Sequence, residues 1–148
     1  MAHEACPLPG EVEKSERAAI ARMLAGKRIA IVGLSDNPAR VSYAIAEYLI
    51  SAGYEVVGVN PNAKGRVLGK ECYASLKEVP GVIDVVNVFR RSEYCAAVAR
   101  EAAEVGAKGV WLQSGILSAE AREIARRAGM DYVEGRCIMV EHGRRGRF

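Results

Sequence analysis

The sequence predicts an α/β fold: a Rossmann-like, doubly wound and mainly parallel five-stranded sheet with helices on both faces. Two observations predict it. Short runs of β-branched and apolar residues alternate about five times with longer amphipathic stretches, which is typical of a parallel sheet joined by crossover helices. The connections between these segments are short, as they are in compact α/β domains.

Length and composition are those of one globular domain, because half of the 148 residues are hydrophobic and 26% are charged. We predict a helical extension over residues 1–26 and one domain over 27–148. The net charge of +3 is too small to indicate a nucleic-acid partner. Apolar runs stay well short of the roughly 20 residues that span a membrane, and the acids and prolines near the start do not suit a signal peptide. We therefore expect a cytoplasmic protein without membrane or nucleic-acid partners.

The first half of the chain predicts two helices and two strands. Helical spacing of Val12, Ala19, Ile20, Met23 and Leu24 predicts a helix over 11–25. The apolar run RIAIVG predicts a strand over 28–33. A second helix is predicted over 41–52 and a second strand, YEVVGV, over 54–59. The polar stretch that follows is predicted to be a loop.

The second half repeats the pattern. Ser75 and Glu78 have capping-box spacing for a short helix, and Ser92 and Ser118 are the predicted N-caps of two longer helices. The last part of the chain has weak periodicity and predicts no element. Three further strands are predicted at residues 83–89, 108–113 and 130–134.

The loop after the first strand, GLSDNPARVSY, has the residues of a phosphate site. Gly33 permits a tight turn and the close approach of a phosphate. Ser35 and Asn37 offer short polar groups, the next helix offers unpaired N–H groups, and Arg40 adds a positive charge. A diphosphate can be held in this way, although the second and third glycines of the NAD fingerprint G-x-G-x-x-G are missing.

The loop after the second strand distinguishes between nucleotides. NAD-binding folds place Asp or Glu there to bind the ribose hydroxyls. Here the strand is followed by Asn60 and Pro61, and the next charges are Lys64 and Arg66. Cations favour a nucleotide with an extra phosphate on its ribose, and both NADP and coenzyme A have one.

Two further strand ends add polar groups to the same edge of the sheet. At most one of the adjacent Arg90 and Arg91 is expected to reach a ligand, since consecutive side chains point in different directions. The fourth loop offers the Gln113 amide, the Ser114 hydroxyl and a glycine. Trp111 is expected to belong to the core.

The combination of G-L-S…N-P-A-R-V-S-Y, V-N-P, V-F-R-R-S-E, W-L-Q-S-G-I and R-C-I resembles the stand-alone CoA-binding-domain proteins. These are relatives of the CoA-binding domain of succinyl-CoA synthetase α-subunits and of ADP-forming acyl-CoA synthetases. The resemblance covers residues 27 to about 141 and implies coenzyme A as the ligand. The residues that it places around coenzyme A are Gly33, Ser35, Asn37, Arg40, Ser42, Tyr43, Asn60, Pro61, Lys64, Phe89, Arg90, Gln113, Gly115 and Ile116.

One departure from the resemblance bears on activity. Succinyl-CoA synthetase-like enzymes have a phosphorylated histidine in a glycine-rich segment of a second domain, and His142 lacks that context. The four cysteines form no C-x-x-C pair, so the sequence predicts no metal site. It predicts a binding site and no catalytic apparatus.

Several functions remain open. We favour a non-catalytic module that binds coenzyme A or an acyl-CoA, acting alone, as a homodimer or beside an acyl-CoA enzyme. The alternatives are the detached CoA-binding part of an acyl-CoA ligase with a partner chain, and an NAD(P)-binding regulatory protein. Cys137 follows Arg136, which could favour a thiolate and a mixed disulfide with coenzyme A, although a buried inert cysteine is the preferred interpretation.

Overall fold

A computed structural model describes residues 9–62 and 65–145 of the chain. The fold is α/β with helices on both faces of one sheet, as predicted. The helices are α1 (Pro9–Leu24), α2 (Val41–Ser51), α3 (Ser92–Glu104), α4 (Ala119–Ala128) and α5 (Ile138–Arg145). The strands are β1 (Arg28–Val32), β2 (Glu55–Val59), β3 (Arg66–Val67), β4 (Lys70–Tyr73), β5 (Val85–Val88), β6 (Gly109–Leu112) and β7 (Asp131–Val133).

The strand order places the switch point of the sheet between β1 and β5. The order is β3-β4-β2-β1-β5-β6-β7, and every neighbouring pair except β3–β4 is parallel. The chain therefore builds outward from β1 in one direction, returns to the centre and continues from β5 in the other. In such sheets the crevice for a ligand opens beyond the carboxyl ends of the two central strands.

The prediction of five strands is wrong, because the described residues form a sheet of seven. The stretch predicted as a polar loop after β2 contains the hairpin β3–β4, and β4 joins the sheet beside β2. The hairpin turns at Leu68 and Gly69, which both have positive φ. Strands of two and four residues without clear alternation of polarity leave little pattern to detect in the sequence.

The two faces of the sheet carry separate apolar clusters. On one face α1, α2 and α5 cover Ile29, Ile31 and Trp111, and on the other α3 and α4 cover Ala30 and Val86. Trp111 is fully buried, which confirms its assignment to the core. The helix α1 contributes Ala19, Ile20, Met23 and Leu24 to the first cluster, as their helical spacing predicts.

The helix starts confirm one predicted cap and correct two. Ser118 caps α4 by accepting from the N–H of Ala121 at 3.0 Å. Ser92 is the first residue of α3 rather than its cap, and its hydroxyl accepts instead from the N–H of Leu117. Ser75 precedes a short 3-10 helix over Leu76–Glu78 without making a capping bond.

The helix α5 occupies a stretch where the sequence predicts no element. Its only fully buried side chain is that of Ile138, so the sequence has no repeat of apolar residues from which a helix could be predicted. None of the described helices is long and apolar enough to cross a membrane.

Candidate functional site

Gly33 and Phe89 meet at the switch point, directly beyond the ends of β1 and β5. Gly33 has a φ of +90°, and a Cβ added there would lie 2.8 Å from the carbonyl oxygen of Phe89. Both the conformation and the closeness of the neighbouring backbone therefore require glycine. The N–H of Gly33 donates to the carbonyl of Val59 at 2.8 Å and continues the pairing of β1 with β2.

The loop from β1 to α2 is folded by its own short polar side chains. The N–H of Ser35 donates to Ser42 Oγ at 3.0 Å, and the N–H of Asn37 donates to Ser35 Oγ at 3.0 Å. Asn37 Oδ1 in turn accepts from the N–H of Ala39 at 2.9 Å. Serine and asparagine are suited to such local turns. These side chains hold the loop curled over the start of α2.

The amino end of α2 faces this loop, and the helix has no acidic side chain in its own first turn to balance the positive end of its dipole. Arg40 is the N-cap residue, its side chain makes no capping bond, and the first turn has no acidic residue. Among the described hydrogen bonds none uses the N–H of Val41 or Ser42 as a donor. Unpaired N–H groups and the helix dipole make such an end favourable for an anion.

A cleft of about 500 Å³ opens over this helix end. It brings five of the predicted site residues together, and the exposed Arg40 side chain adds positive charge at its rim. The residues lining the cleft are Gly33, Ser35, Ala39, Arg40, Val41, Ser42 and Phe89.

A second, more apolar pocket of about 190 Å³ lies at the same edge of the sheet, on the side of α3. It includes Val32 of β1, so the two cavities lie on either side of the end of that strand. The guanidinium of Arg90 stacks 5.1 Å from the centre of the Tyr94 ring. The lining residues are Val32, Val59, Pro61, Ala74, Ser75, Leu76, Arg90, Tyr94, Ala97, Val98 and Glu101.

Asn60 supports the loop rather than opening to either cavity. Its Nδ2 donates to the carbonyl of Leu34 at 3.0 Å, and its Oδ1 accepts from the N–H of Asn62 at 2.9 Å. The amide therefore ties the end of β2 to the loop after β1. Lys64 lies outside the described residues, and Arg66 pairs with Glu71 at 2.7 Å.

The remaining predicted residues are not brought into the cleft. Gln113 is buried just beyond the end of β6 and does not line the cleft, and Tyr43 packs against the apolar cluster under α2. Gly115 is exposed in a turn with a φ of +80°, and Ile116 packs against the cluster under α3 and α4.

Cys137 is only partly buried, contrary to the preferred interpretation of a buried cysteine, and the neighbouring Arg136 is engaged in two ion pairs. The Arg136 side chain is paired with Glu16 and with Glu141, so its charge is balanced by two carboxylates. His142 is held by a 2.8 Å hydrogen bond between its Nδ1 and the Tyr48 hydroxyl. Among the described residues no group of His, Cys, Asp and Glu could hold a metal ion.

Several residues of this edge were not predicted from the sequence. Ala39 and Val41 line the cleft with small or apolar groups that carry no chemical signal. Tyr94 lies in the first turn of α3 and is contacted by Arg90, which precedes the helix. Asn87 is a lone polar residue within a valine-rich strand, and that contrast could have drawn attention to it.

Two known proteins are similar to this chain over most of its length. The uncharacterized protein YneT of Bacillus subtilis is 44% identical over 116 residues, which span 78% of this chain and 85% of that protein. The structure of a hypothetical protein from Pyrococcus horikoshii OT3 has a TM-score of 0.81 at 36% identity, covering 97% of this chain and 98% of that one.

A longer relative links the chain to an enzyme subunit. The α-subunit of ADP-forming acetate–CoA ligase II from Pyrococcus furiosus is 28% identical over 123 residues. The match covers 76% of this chain but only 27% of that subunit. The family model described as "CoA binding domain" matches residues 27–143. The chain therefore belongs to the CoA-binding domain family.

Proposed function

We propose that this protein binds coenzyme A or an acyl-CoA at the carboxyl edge of its sheet. The observation that carries the proposal is the amino end of α2 beside a cleft bounded by Gly33. This helix end has unpaired N–H groups and no acidic residue in its first turn. An anion with several oxygens, such as a diphosphate, matches these donors. Membership of the CoA-binding domain family supports coenzyme A as the source of that diphosphate.

The two cavities suggest how the nucleotide is divided between them. The diphosphate lies over α2 beside Arg40, and the adenine ring enters the apolar pocket on the α3 side of β1. Arg90 is half-buried there and is the described cation best placed for the additional ribose phosphate. Asn60 stands where NAD-binding folds have a carboxylate, and its amide is engaged with the loop, which disfavours NAD.

Titration calorimetry with coenzyme A, NADP, NAD and ATP tests the proposal. We expect coenzyme A to bind most tightly. Arg40→Gln should lower its affinity about ten-fold, because a charged hydrogen bond to phosphate is lost. Arg91→Gln is the matched control, since Arg91 is exposed and lines neither cavity. Binding of NAD without binding of coenzyme A would contradict the proposal.

A second candidate function is that of a detached ligase part. It is favoured by the match to the acetate–CoA ligase subunit, of which this chain spans about a quarter. In that case the chain supplies bound coenzyme A to a partner chain that carries the remaining catalytic parts.

Affinity purification of the tagged full chain from its own cells, followed by mass spectrometry, distinguishes the two candidates. A ligase part should co-purify with a nucleotide-binding ligase chain, and the complex should form acyl-CoA from the acid, ATP and coenzyme A. Recovery of the chain alone, with coenzyme A bound, favours the independent module.

A further inference from the structure

A buried amide pair lies below the cleft, in the sheet layer covered by α2 and α5. Asn87 of β5 is fully buried and Gln113 is 3% exposed. Gln113 Nε2 donates to Asn87 Oδ1, and Gln113 Oε1 accepts from the N–H of Ile138 at 3.4 Å. Asn87 Nδ2 has no hydrogen-bond partner among the described residues.

The orientation of both amides follows from the first residue of α5. A backbone N–H can only donate, so the oxygen of Gln113 must face Ile138. The NH₂ group of Gln113 then faces Asn87, which must present its oxygen in return. Reversing either amide would set two donors or two acceptors against each other. The unpaired group is therefore an N–H donor.

This donor lies one residue layer below the floor of the cleft. Ile31, Asn87 and Trp111 are paired in register across β1, β5 and β6. Two residues further along these strands, about 7 Å toward the carboxyl edge, come Gly33, Phe89 and Gln113. Because Gly33 has no side chain, β1 contributes none to the layer above Asn87, and the space beside Gly33 is bounded by the backbone and Cβ of Phe89.

A buried donor without a partner destabilises a protein, so an acceptor that reaches it gains the hydrogen bond and removes that cost. We propose that Asn87 is a binding residue of the cleft, whose Nδ2 donates, directly or through one water molecule, to a diphosphate oxygen of the ligand. This assignment rests on the proposed function, since it takes the anion over α2 as the acceptor. Gln113 is then a positioning residue that fixes the Asn87 amide against α5.

The side-chain NH₂ signals of the ¹⁵N-labelled wild-type protein test this without any substitution. Saturating coenzyme A should shift an Asn87 Nδ2 proton downfield, while the Gln113 signals, already hydrogen-bonded, move less. ADP should produce the same shift because it carries the diphosphate, and adenosine should not. An Asn87 signal that is unchanged in saturating coenzyme A, or that adenosine shifts as much, overturns the assignment.

Two variants extend the test to affinity. Asn87→Asp keeps the shape and the acceptor but removes the amide donors, and Asn87→Leu removes both. Each should weaken binding of coenzyme A about ten-fold. Val86→Ala, on the opposite face of the same strand, is the control for a destabilised β5. Unchanged affinity in folded Asn87 variants also contradicts the assignment. Failure of the wild type to bind coenzyme A would instead overturn the proposed function.

Discussion

Replacing Gly33 with alanine tests the geometry of the switch point most directly. At a φ of +90°, an L-residue costs about 1–2 kcal/mol relative to glycine. The new Cβ would also lie 2.8 Å from the Phe89 carbonyl oxygen and 3.3 Å from its carbonyl carbon, which are backbone atoms of a central strand end. Overpacking of this kind adds about 1–3 kcal/mol. We therefore expect Gly33→Ala to lower the free energy of unfolding by about 2–5 kcal/mol.

Gly53 provides the matched control for that substitution. It has a similar φ of +98°, but a Cβ there meets no atom within 4 Å. Gly53→Ala should therefore lower the free energy of unfolding only by the conformational cost of about 1–2 kcal/mol. Urea unfolding of the two variants and the wild type measures the difference. Equal losses of stability in the two variants would show that Phe89 does not restrict the space above Gly33, and would refute the reasoning.

Three further substitutions address the apolar pocket beside α3, a partly buried carboxylate and a helix cap. Arg90→Gln should weaken coenzyme A binding about ten-fold in calorimetry, and no change would remove Arg90 from the phosphate site. Partial burial opposes ionisation of Asp84, but bonds from the N–H groups of Lys27 and Arg28 and the ammonium of Lys108 lower its pKa overall. This carboxylate therefore stabilises the fold above about pH 4 and loses its effect as the pH falls through its lowered pKa. Asp84→Asn should lower the free energy of unfolding, measured in urea, by about 1–2 kcal/mol at pH 7 and by less at pH 3. An equal loss at both pH values would contradict the ionic contribution. Ser118→Ala should lower the free energy of unfolding by about 1 kcal/mol, because the cap of α4 is lost. Ser114→Ala, at an exposed serine, is the control. Equal stability of the two variants would argue against the cap.

The alternation of strands and helices was predictable because it depends on local periodicity. The elements that escaped prediction depend on distant contacts instead. The helix α5 is held by the bond of His142 to Tyr48 and by that of Arg145 to the carbonyl of Ala21, and both partners come from the first third of the chain. The strand β4 is likewise defined by its pairing with β2.

The candidate site likewise has features that could be predicted from the sequence and features that could not. Parallel strands bring their carboxyl ends to one edge, so the sequence could indicate which loops meet there. It could not indicate which polar side chains are engaged within the protein. Ser42 is bonded to the N–H of Ser35, Asn60 to the carbonyl of Leu34 and Gln113 to Asn87. These side chains shape the site, whereas the helix end beside Arg40 keeps its donors available.

The outermost strands of the sheet have a consequence for its behaviour at high concentration. The strand β3 has two residues and β7 has three, so each border offers only a few unpaired backbone groups to another molecule. Long open borders promote pairing between sheets of different molecules, and very short ones discourage it. The central strands, which are valine-rich and well suited to such pairing, lie inside the sheet. The arrangement should keep this protein from aggregating through its strands while the carboxyl edge of its sheet stays accessible.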